Sequence, residues 1–513
     1  MIVFKKIALS VFCFIVLNLH VCAKEVIIFS TNDIHGRLEP FNYGSFKNVG
    51  GASRRSAIFK TEENPLILDA GDFAQGTLYF KILENNLNLE ILDKLGYHAI
   101  ALGNHEFDKG VNYIKKSALS SKVPLLVSNV KFLDEEINAL VKRYVIKEVN
   151  DVNIAIIGVL DSAVKAISST NPDEYFVYDE IETLQEIVDE VDVKSDLIIV
   201  LSHCGVEKDK KIAKEVKGID LIIGGHSHTF LKKPIKIKQK NGDIVLISQN
   251  GEFGKDVGKW HLDVDGDKIK KYKFKQVLIN DKLQEDEQIK NLILVNKAKI
   301  ESFSNEVAGY SETLIDARRE VVKSQLTTSG ALLHSAIKKY YPDVEISFNT
   351  SGGYRYGGFL PQTITNKDVV ELFPFESYLV ILDIKGSDIE EILETSSRFL
   401  PNPAYSFLQS YGISYDVDLK KQSKILNGTL DKILKKGNRV SNILINNKPL
   451  DKNKYYRAAT DSFMYFGGDG YVEFKKYKKV FHTYMSLDKI LIKYLNENSP
   501  VKIEVKDNIN IIK

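Results

Sequence analysis

The sequence predicts an α/β protein built from two α/β domains. Three observations predict it. Between Lys24 and about Asp281, short apolar runs recur: "EVIIFS", "PLILDA", "HAIALG", "VPLLVS", "NIAIIGV", "DLIIVLS" and "DLIIGG". Continuous runs of this length, rich in β-branched residues, belong to strands buried on both faces. Amphipathic stretches of helical spacing stand between them, which makes a layered α/β domain. Finally, 513 residues exceed what one hydrophobic core serves, so a second domain is expected.

The elements follow in order. Met1 to Ala23 is set apart: Lys5 and Lys6 precede "IALSVFCFIVLNL", and "VCA" offers small residues before Lys24. This predicts a secretory signal cut after Ala23 and an exported chain, in a periplasm or outside the cell. An uncleaved anchor is the alternative, although the stretch is short for a membrane span. Residues 24–281 form the first domain, with "TLYFKILENNLNLEILDKLG" helical and Gly96 its C-cap. After Gly242 the strands shorten and alternate, as in "KWHLDVDG". Residues 282–309 read as a connecting helix, charged and helically spaced. Residues 310–513 form the second, smaller domain. There "TTSGALLHSAIKKYY" is helical and "EISFNTSGG" is a strand entering a glycine turn. "SDIEEILE" starts a helix with Ser387 and Glu390 in capping-box register.

Charge excludes some partners. Of 70 basic residues two leave with the signal, and 68 acidic residues balance the rest. A neutral chain is not suited to nucleic acid or an anionic membrane as its main partner, and no later segment is apolar enough for stable membrane insertion. Nothing in the sequence specifies an oligomeric state. Two of three cysteines also leave with the signal, so Cys204 has no partner for an internal disulfide.

The chemistry sits where the strands end. "IIFSTNDIH" delivers Asp33 and His35, and "LILDAGD" delivers Asp69 and Asp72. "AIALGNHEFD" delivers Asn104, His105 and Asp108. "IIVLSH" ends in His203, and "LIIGGHSH" in His226 and His228. Ligands of open α/β sheets bind outside the carboxyl ends of strands, so five strand ends with the same residue classes point to one crevice. Imidazole, carboxylate and carboxamide donors suit Zn, Mn, Fe, Co or Ni. The donors are too many for one four-coordinate ion; two ions about 3.5–4 Å apart sharing a carboxylate fit better. If the segments are extended, Asp33/His35 and His226/His228 each aim two side chains at one place. Asp69 is expected to be structural or to support a ligand. His98, His261, His334 and His482 lack partners in pattern and are expected in packing, as is Cys204.

"NDIHG", "GDFAQG", "GNHEFD", "SHCG" and "GGHSH", in this order, resemble the motif set of the calcineurin-like metallophosphoesterases. With its second domain the chain resembles the bacterial and animal 5′-nucleotidase family, which includes UDP-sugar hydrolases. The resemblance implies a four-layered α/β sandwich followed by a smaller α/β substrate domain. It implies two divalent ions, for which Zn, Mn and Co suit the donors: one held by Asp33, His35, Asp72 and His228, the other by Asp72, Asn104, His203 and His226, with Asp72 shared. His105 would stabilise the transferring phosphoryl group or protonate the leaving oxygen, oriented by Asp108. In the second domain, "GGYR", "PF" and "F…GGDG" are similar to the family's substrate motifs. Phe375 and Phe463 would clamp the base and Asp469 the ribose. Arg319, Lys323 and Arg355 would meet the anionic end. Lys323 stands where an Arg is common and loses the two-pronged contact of a guanidinium; Thr350 stands where many relatives have Asn. The implied reaction is release of phosphate from nucleoside 5′-monophosphates, with UDP-sugars or nucleoside diphosphates as further substrates. The alternative is a 2′,3′-cyclic phosphodiesterase with 3′-nucleotidase activity. Its members usually read "TDLHG" where this chain reads "TNDIHG".

Overall fold

A computed structural model of the protein describes residues 24–513 except 44, 84–86, 165–171, 376, 429, 479 and 507. The expected signal segment, 1–23, lies outside the described residues. Two six-stranded sheets face each other in the first domain. One is centred on Lys24–Thr31, which pairs in parallel with Leu66–Asp69; Ala99–Ala101 and Leu125–Leu126 continue it. Its other edge is antiparallel, formed by Asp256–Asp265 and Lys268–Leu278. The second sheet carries Val152–Leu160, Leu197–His203 and Leu221–Gly224 in parallel.

The expected apolar runs are strands because both faces are needed for packing. Val26, Ile28, Leu66 and Leu68 meet Ile154, Ile156, Ile199 and Trp260 in the core between the sheets. Phe29, Ile67 and Ile100 turn outward to a helix layer that includes Ile58, Leu92 and Ile114. Ile157, Ile198 and Ile222 turn outward to Leu184, Ile187 and Ile212 on the opposite side. Helix, sheet, sheet and helix make four layers.

The helix Glu287–Asn305 follows, N-capped by Asp286, whose carboxylate accepts from the Gln288 and Ile289 amides. Its Ile289, Ile293 and Ile300 pack into the first domain's outer core. Beyond it a five-stranded sheet, with Ile346–Thr350, Tyr455–Asp461 and Tyr378–Lys385 at its centre, carries apolar cores on both faces.

Gly96 has φ +77, as its C-cap role requires. The Ser387 cap is corrected. The helix is Gly386–Ser397, with Lys385 in the cap position and no side-chain cap. The amides of Gly386 and Ser387 donate instead to the Lys454 and Lys452 carbonyls, at 2.9 and 3.0 Å. Tertiary backbone contacts supply what a capping side chain would have supplied.

Candidate dimetal active site

All seven expected ligands stand at or just beyond strand carboxyl ends. The first sheet contributes Asp33, His35, Asp72 and Asn104; the second contributes His203, His226 and His228. The site therefore closes the gap between the two sheets. Asp33, His35 and His228 converge, as do Asp33, Asp72 and His203, with donor atoms within 4.8 Å of one another in each group. Asp72 Oδ2 lies 3.1 Å from His203 Nε2 and 3.9 Å from His35 Nε2, between the two groups. Asp33 Oδ1 lies 3.2 Å from His228 Nε2. His226 Nδ1 meets Asn104 Oδ1 at 3.0 Å.

The extended pairing expected for Asp33/His35 and His226/His228 is corrected. All four residues, and Asp72, have φ between +50° and +73°. This left-handed region is uncommon for residues with a Cβ and is retained when surrounding contacts over-determine it. Here the contacts are visible: the Asp33 and His35 amides donate to the Gly71 and Asp72 carbonyls, both at 2.9 Å. The side chains converge through tight turns rather than through strand pleat. Gly103 is obligatory for the same reason, since a Cβ there would stand 2.2 Å from Asp72 Oδ1.

The donors fit divalent cations. His203 is fully buried; its Nδ1 donates to the Ala70 carbonyl at 2.8 Å and its Nε2 faces Asp72 Oδ2 at 3.1 Å. Donation from Nδ1 leaves the Nε2 lone pair facing the carboxylates, the arrangement of a ligating imidazole. Burial disfavours the Asp33 and Asp72 carboxylates, but facing imidazoles outweigh it and hold both below the usual range. Burial also pushes His35 down to about 4.

His105 and Asp108 form the expected dyad, Nδ1 to Oδ2 at 2.5 Å. Burial works against the imidazolium, yet Asp108 and Asp72 overcome it and lift His105 to about 9. The His105 amide also donates to Asp72 Oδ1 at 2.9 Å, tying the dyad to the ligand cluster.

Asp69 supports the site as expected. It accepts from Thr31 Oγ1 and the Gly71 amide and touches no ligand side chain. Half-buried His98 accepts from the Ile67 amide, buried His334 donates to the Gln409 carbonyl and accepts from Ser347 Oγ, His261 pairs with Glu25, and Cys204 is buried packing.

A cleft of about 280 Å³ opens from this centre. Asn104, His105 and His226 line one end, and Arg355, Phe375, Phe463 and Asp469 the other. The Arg355 guanidinium is 4.9 Å from the Phe375 ring and 5.3 Å from the Tyr405 ring. Burial pushes the Asp469 carboxyl up to about 6 against the pull of Arg398 and Arg355. Arg319 and Lys323 do not line the cavity; both meet Tyr405, which does, Arg319 at its hydroxyl and Lys323 over its ring.

Sequence reasoning passed over three groups. Glu106 accepts from the Asp72, Ala74 and Gly103 amides and shapes the turns bearing the ligands. It was visible inside "GNHEFD". Tyr405 had no motif around it. Glu252 stands 2.6 Å from His228 Nδ1, flagged only by the glycine-rich "NGEFG".

Two facing sheets that feed carboxylates, imidazoles and a carboxamide to one point define a metallophosphoesterase, and residues 28–230 match the calcineurin-like phosphoesterase family. That domain implies a centre of two metal ions. Residues 307–476 match the 5′-nucleotidase C-terminal domain. The chain belongs to the 5′-nucleotidase family. The 5′-nucleotidase of Bos taurus is 30% identical over 498 residues, covering 88% of this chain and 85% of that one. The snake venom 5′-nucleotidase of Naja atra is 29% identical over 498 residues, covering 88% and 92%. The crystal structure of a 5′-nucleotidase precursor from Thermus thermophilus superimposes with a TM-score of 0.74 at 29% identity, covering 95% and 99%.

Proposed function

We propose that this metal-dependent phosphoric monoester hydrolase removes phosphate from nucleoside 5′-monophosphates. The observation that carries the reading is the single cleft joining the His105 dyad to the Phe375, Phe463 and Asp469 wall. A nucleoside stacked between two rings places its 5′-phosphate toward His105 and the carboxylate cluster. In this reading residues 24–281 hold the ions, residues 310–513 hold the nucleoside, and residues 282–309 join them. One ion is held by Asp33, His35, Asp72 and His228, the other by Asp72, Asn104, His203 and His226.

Bound there, two divalent cations supply charge neutralisation at phosphorus and a more acidic attacking water. The chain's own residues do the rest. Asp108 holds His105 Nδ1, so Nε2–H is the free donor for a phosphoryl oxygen or the departing 5′-oxygen. Phe375 and Phe463 exclude water from the base faces. Arg355, backed by Arg319 and Lys323 around Tyr405, supplies positive charge along the cleft.

The residues 1–23 support export to a periplasm or the extracellular medium, for salvage of nucleotides. Among the described residues no helix is long and apolar enough to cross a membrane.

The test is phosphate release by metal-stripped protein with Mn, Co, Zn, Mg or Ca restored, on AMP, UMP, 3′-AMP, 2′,3′-cyclic AMP and UDP-glucose. AMP or UMP should lead. Faster release from 3′-AMP or the cyclic compound would favour the 2′,3′-cyclic phosphodiesterase reading instead. No release from any substrate would leave a binding protein on an enzyme scaffold.

A further inference from the structure

His228 differs from the other imidazoles in how it is held. The His203 side chain is 0% exposed and that of His35 7% exposed, so buried surroundings restrict both rings. His228 is 36% exposed. A ring that open to water keeps one orientation only if something outside the ligand cluster grips it.

Glu252 does so. Its Oε2 lies 2.6 Å from His228 Nδ1, on the side of the ring away from Asp33, while His228 Nε2 faces Asp33 Oδ1 at 3.2 Å and His35 Nε2 at 3.2 Å. The other carboxylate oxygen accepts from the Tyr43 hydroxyl at 2.6 Å. The backbone around Glu252 is pinned on both flanks. The Gly251 amide donates to the Thr229 carbonyl at 3.1 Å, next to His228. The Phe253 amide donates to the Asp33 carbonyl at 2.6 Å, and Asn32 Nδ2 donates to the Gly251 carbonyl at 2.8 Å. Phe253 holds a left-handed φ of +64° to make this connection. The loop thus fastens the turn bearing Asp33 to the turn bearing His228, and aims one carboxylate at the imidazole between them.

We infer that Glu252, steadied by Tyr43, is a positioning residue for one of the two ions: it keeps the His228 proton on Nδ1 and presents the Nε2 lone pair to the site shared with Asp33 and His35. The inference rests on His228 being an ion ligand. Partners of this kind restrict ring rotation, select the tautomer and raise ligand basicity, and their loss weakens metal binding roughly 10–100-fold. His203 takes its tautomer from the Ala70 carbonyl instead, so the effect falls on one ion and spares the other.

The experiment titrates metal-stripped full-length protein with Mn²⁺ alone, reading free Mn²⁺ by electron paramagnetic resonance and resolving two binding classes. Glu252→Ala should weaken one class about 10–100-fold and leave the other unchanged. Glu252→Gln, which keeps an acceptor but not the charge, should fall between it and the parent, and Tyr43→Phe should cost only a few-fold. His228→Ala should weaken the same class, and the double variant with Glu252→Ala should lose no more than His228→Ala alone. Unchanged binding in Glu252→Ala overturns the inference, as do additive losses in the double variant or equal weakening of both classes in Glu252→Gln. His228→Ala with both classes intact would remove the ligand assignment itself, whatever Glu252 does. Phosphate release from AMP, measured separately at saturating metal, tests the reaction and not this inference.

Discussion

The imidazole of His105 lies against the phenyl ring of Phe375, with ring centroids 6.2 Å apart and planes inclined by 14°. One belongs to the domain that gathers the ion ligands, the other to the domain that offers the nucleoside wall. Their contact brings the His105–Asp108 pair and the proposed base clamp into one cleft, and it separates what each side chain should do when removed.

In the proposed reaction His105 serves the reacting phosphate, and its ring stacks on Phe375. His105→Ala should therefore lower kcat for AMP by about 10²–10⁴-fold, the usual contribution of a positioned acid–base group. KM should change by no more than a few-fold. Asp108→Asn should follow it in direction with a smaller loss, because the ring keeps a partner at Nδ1 but not the charge. Steady-state kinetics on both variants checks this. An equal loss in KM and kcat would mean that His105 chiefly binds.

In the proposed clamp Phe463 lines the cleft together with Phe375. Stacking on a base contributes roughly 1–3 kcal/mol, so Phe463→Ala should raise KM for AMP about fivefold to 150-fold at nearly constant kcat. Phe375→Ala should raise KM and also lower kcat several-fold, since it removes the ring that backs His105. The contrast between these two phenylalanines is the measurement, and an unchanged KM in Phe463→Ala would remove it from the clamp.

The strands and the polar clusters at their ends were legible in the sequence for one physical reason. A strand buried on both faces must be continuously apolar, so a polar cluster at its end stands out, and Asp72 after "LILDAG" is visible without any partner in view. The turn conformations were not legible. Left-handed backbone at Asp33 or His228 is set by hydrogen bonds to loops far away in sequence, and residue type favours glycine there. Glu252 and Tyr43 were hidden for a related reason: neither follows a strand in a ligand motif, and the fold brings them together across 209 residues. The capping register at Ser387 misled because a cap is a local signal, and the Lys452 and Lys454 carbonyls had already met the need it serves.

The ligand cluster predicts how stability depends on metal. Asp33 and Asp72 are buried side by side with His203, and the proposed ion sites share Asp72. Like charges crowded in a dry site favour a bound cation. Calorimetry of metal-stripped protein should give a lower Tm than the Mn²⁺- or Zn²⁺-loaded form. Each ion at a hundredfold excess over its Kd should add about 2.7 kcal/mol. Asp72→Ala should abolish most of this gain because it removes the carboxylate assigned to both proposed ion sites. A Tm indifferent to chelation would contradict the arrangement of the donors.

A last prediction concerns the contact that fixes Phe375 in place. Lys81, on the helix Leu78–Ile82 of the first domain, has only 5% of its side chain exposed. Its ammonium donates to the Phe375 carbonyl at 2.8 Å and the Phe373 carbonyl at 3.3 Å, and stands 3.5 Å from Asp488 at the start of Leu487–Asn498. Lys81→Met keeps the length and removes the charge. Asp488 is then left buried beside two carbonyls, and breaking a buried pair from one side costs about 3–5 kcal/mol. Tm should fall accordingly. The loop bearing Phe375 loses its tie to the first domain, so KM for AMP should rise several-fold. The His105–Asp108 bond stays in place and only the Phe375 stacking on His105 is loosened, so kcat at saturation should fall no further than it does in Phe375→Ala. Lys81→Arg, which restores charge and donors, should recover most of KM. A normal KM in a destabilised Lys81→Met enzyme would mean that the Phe375 loop is set by its own domain and not by the one it faces.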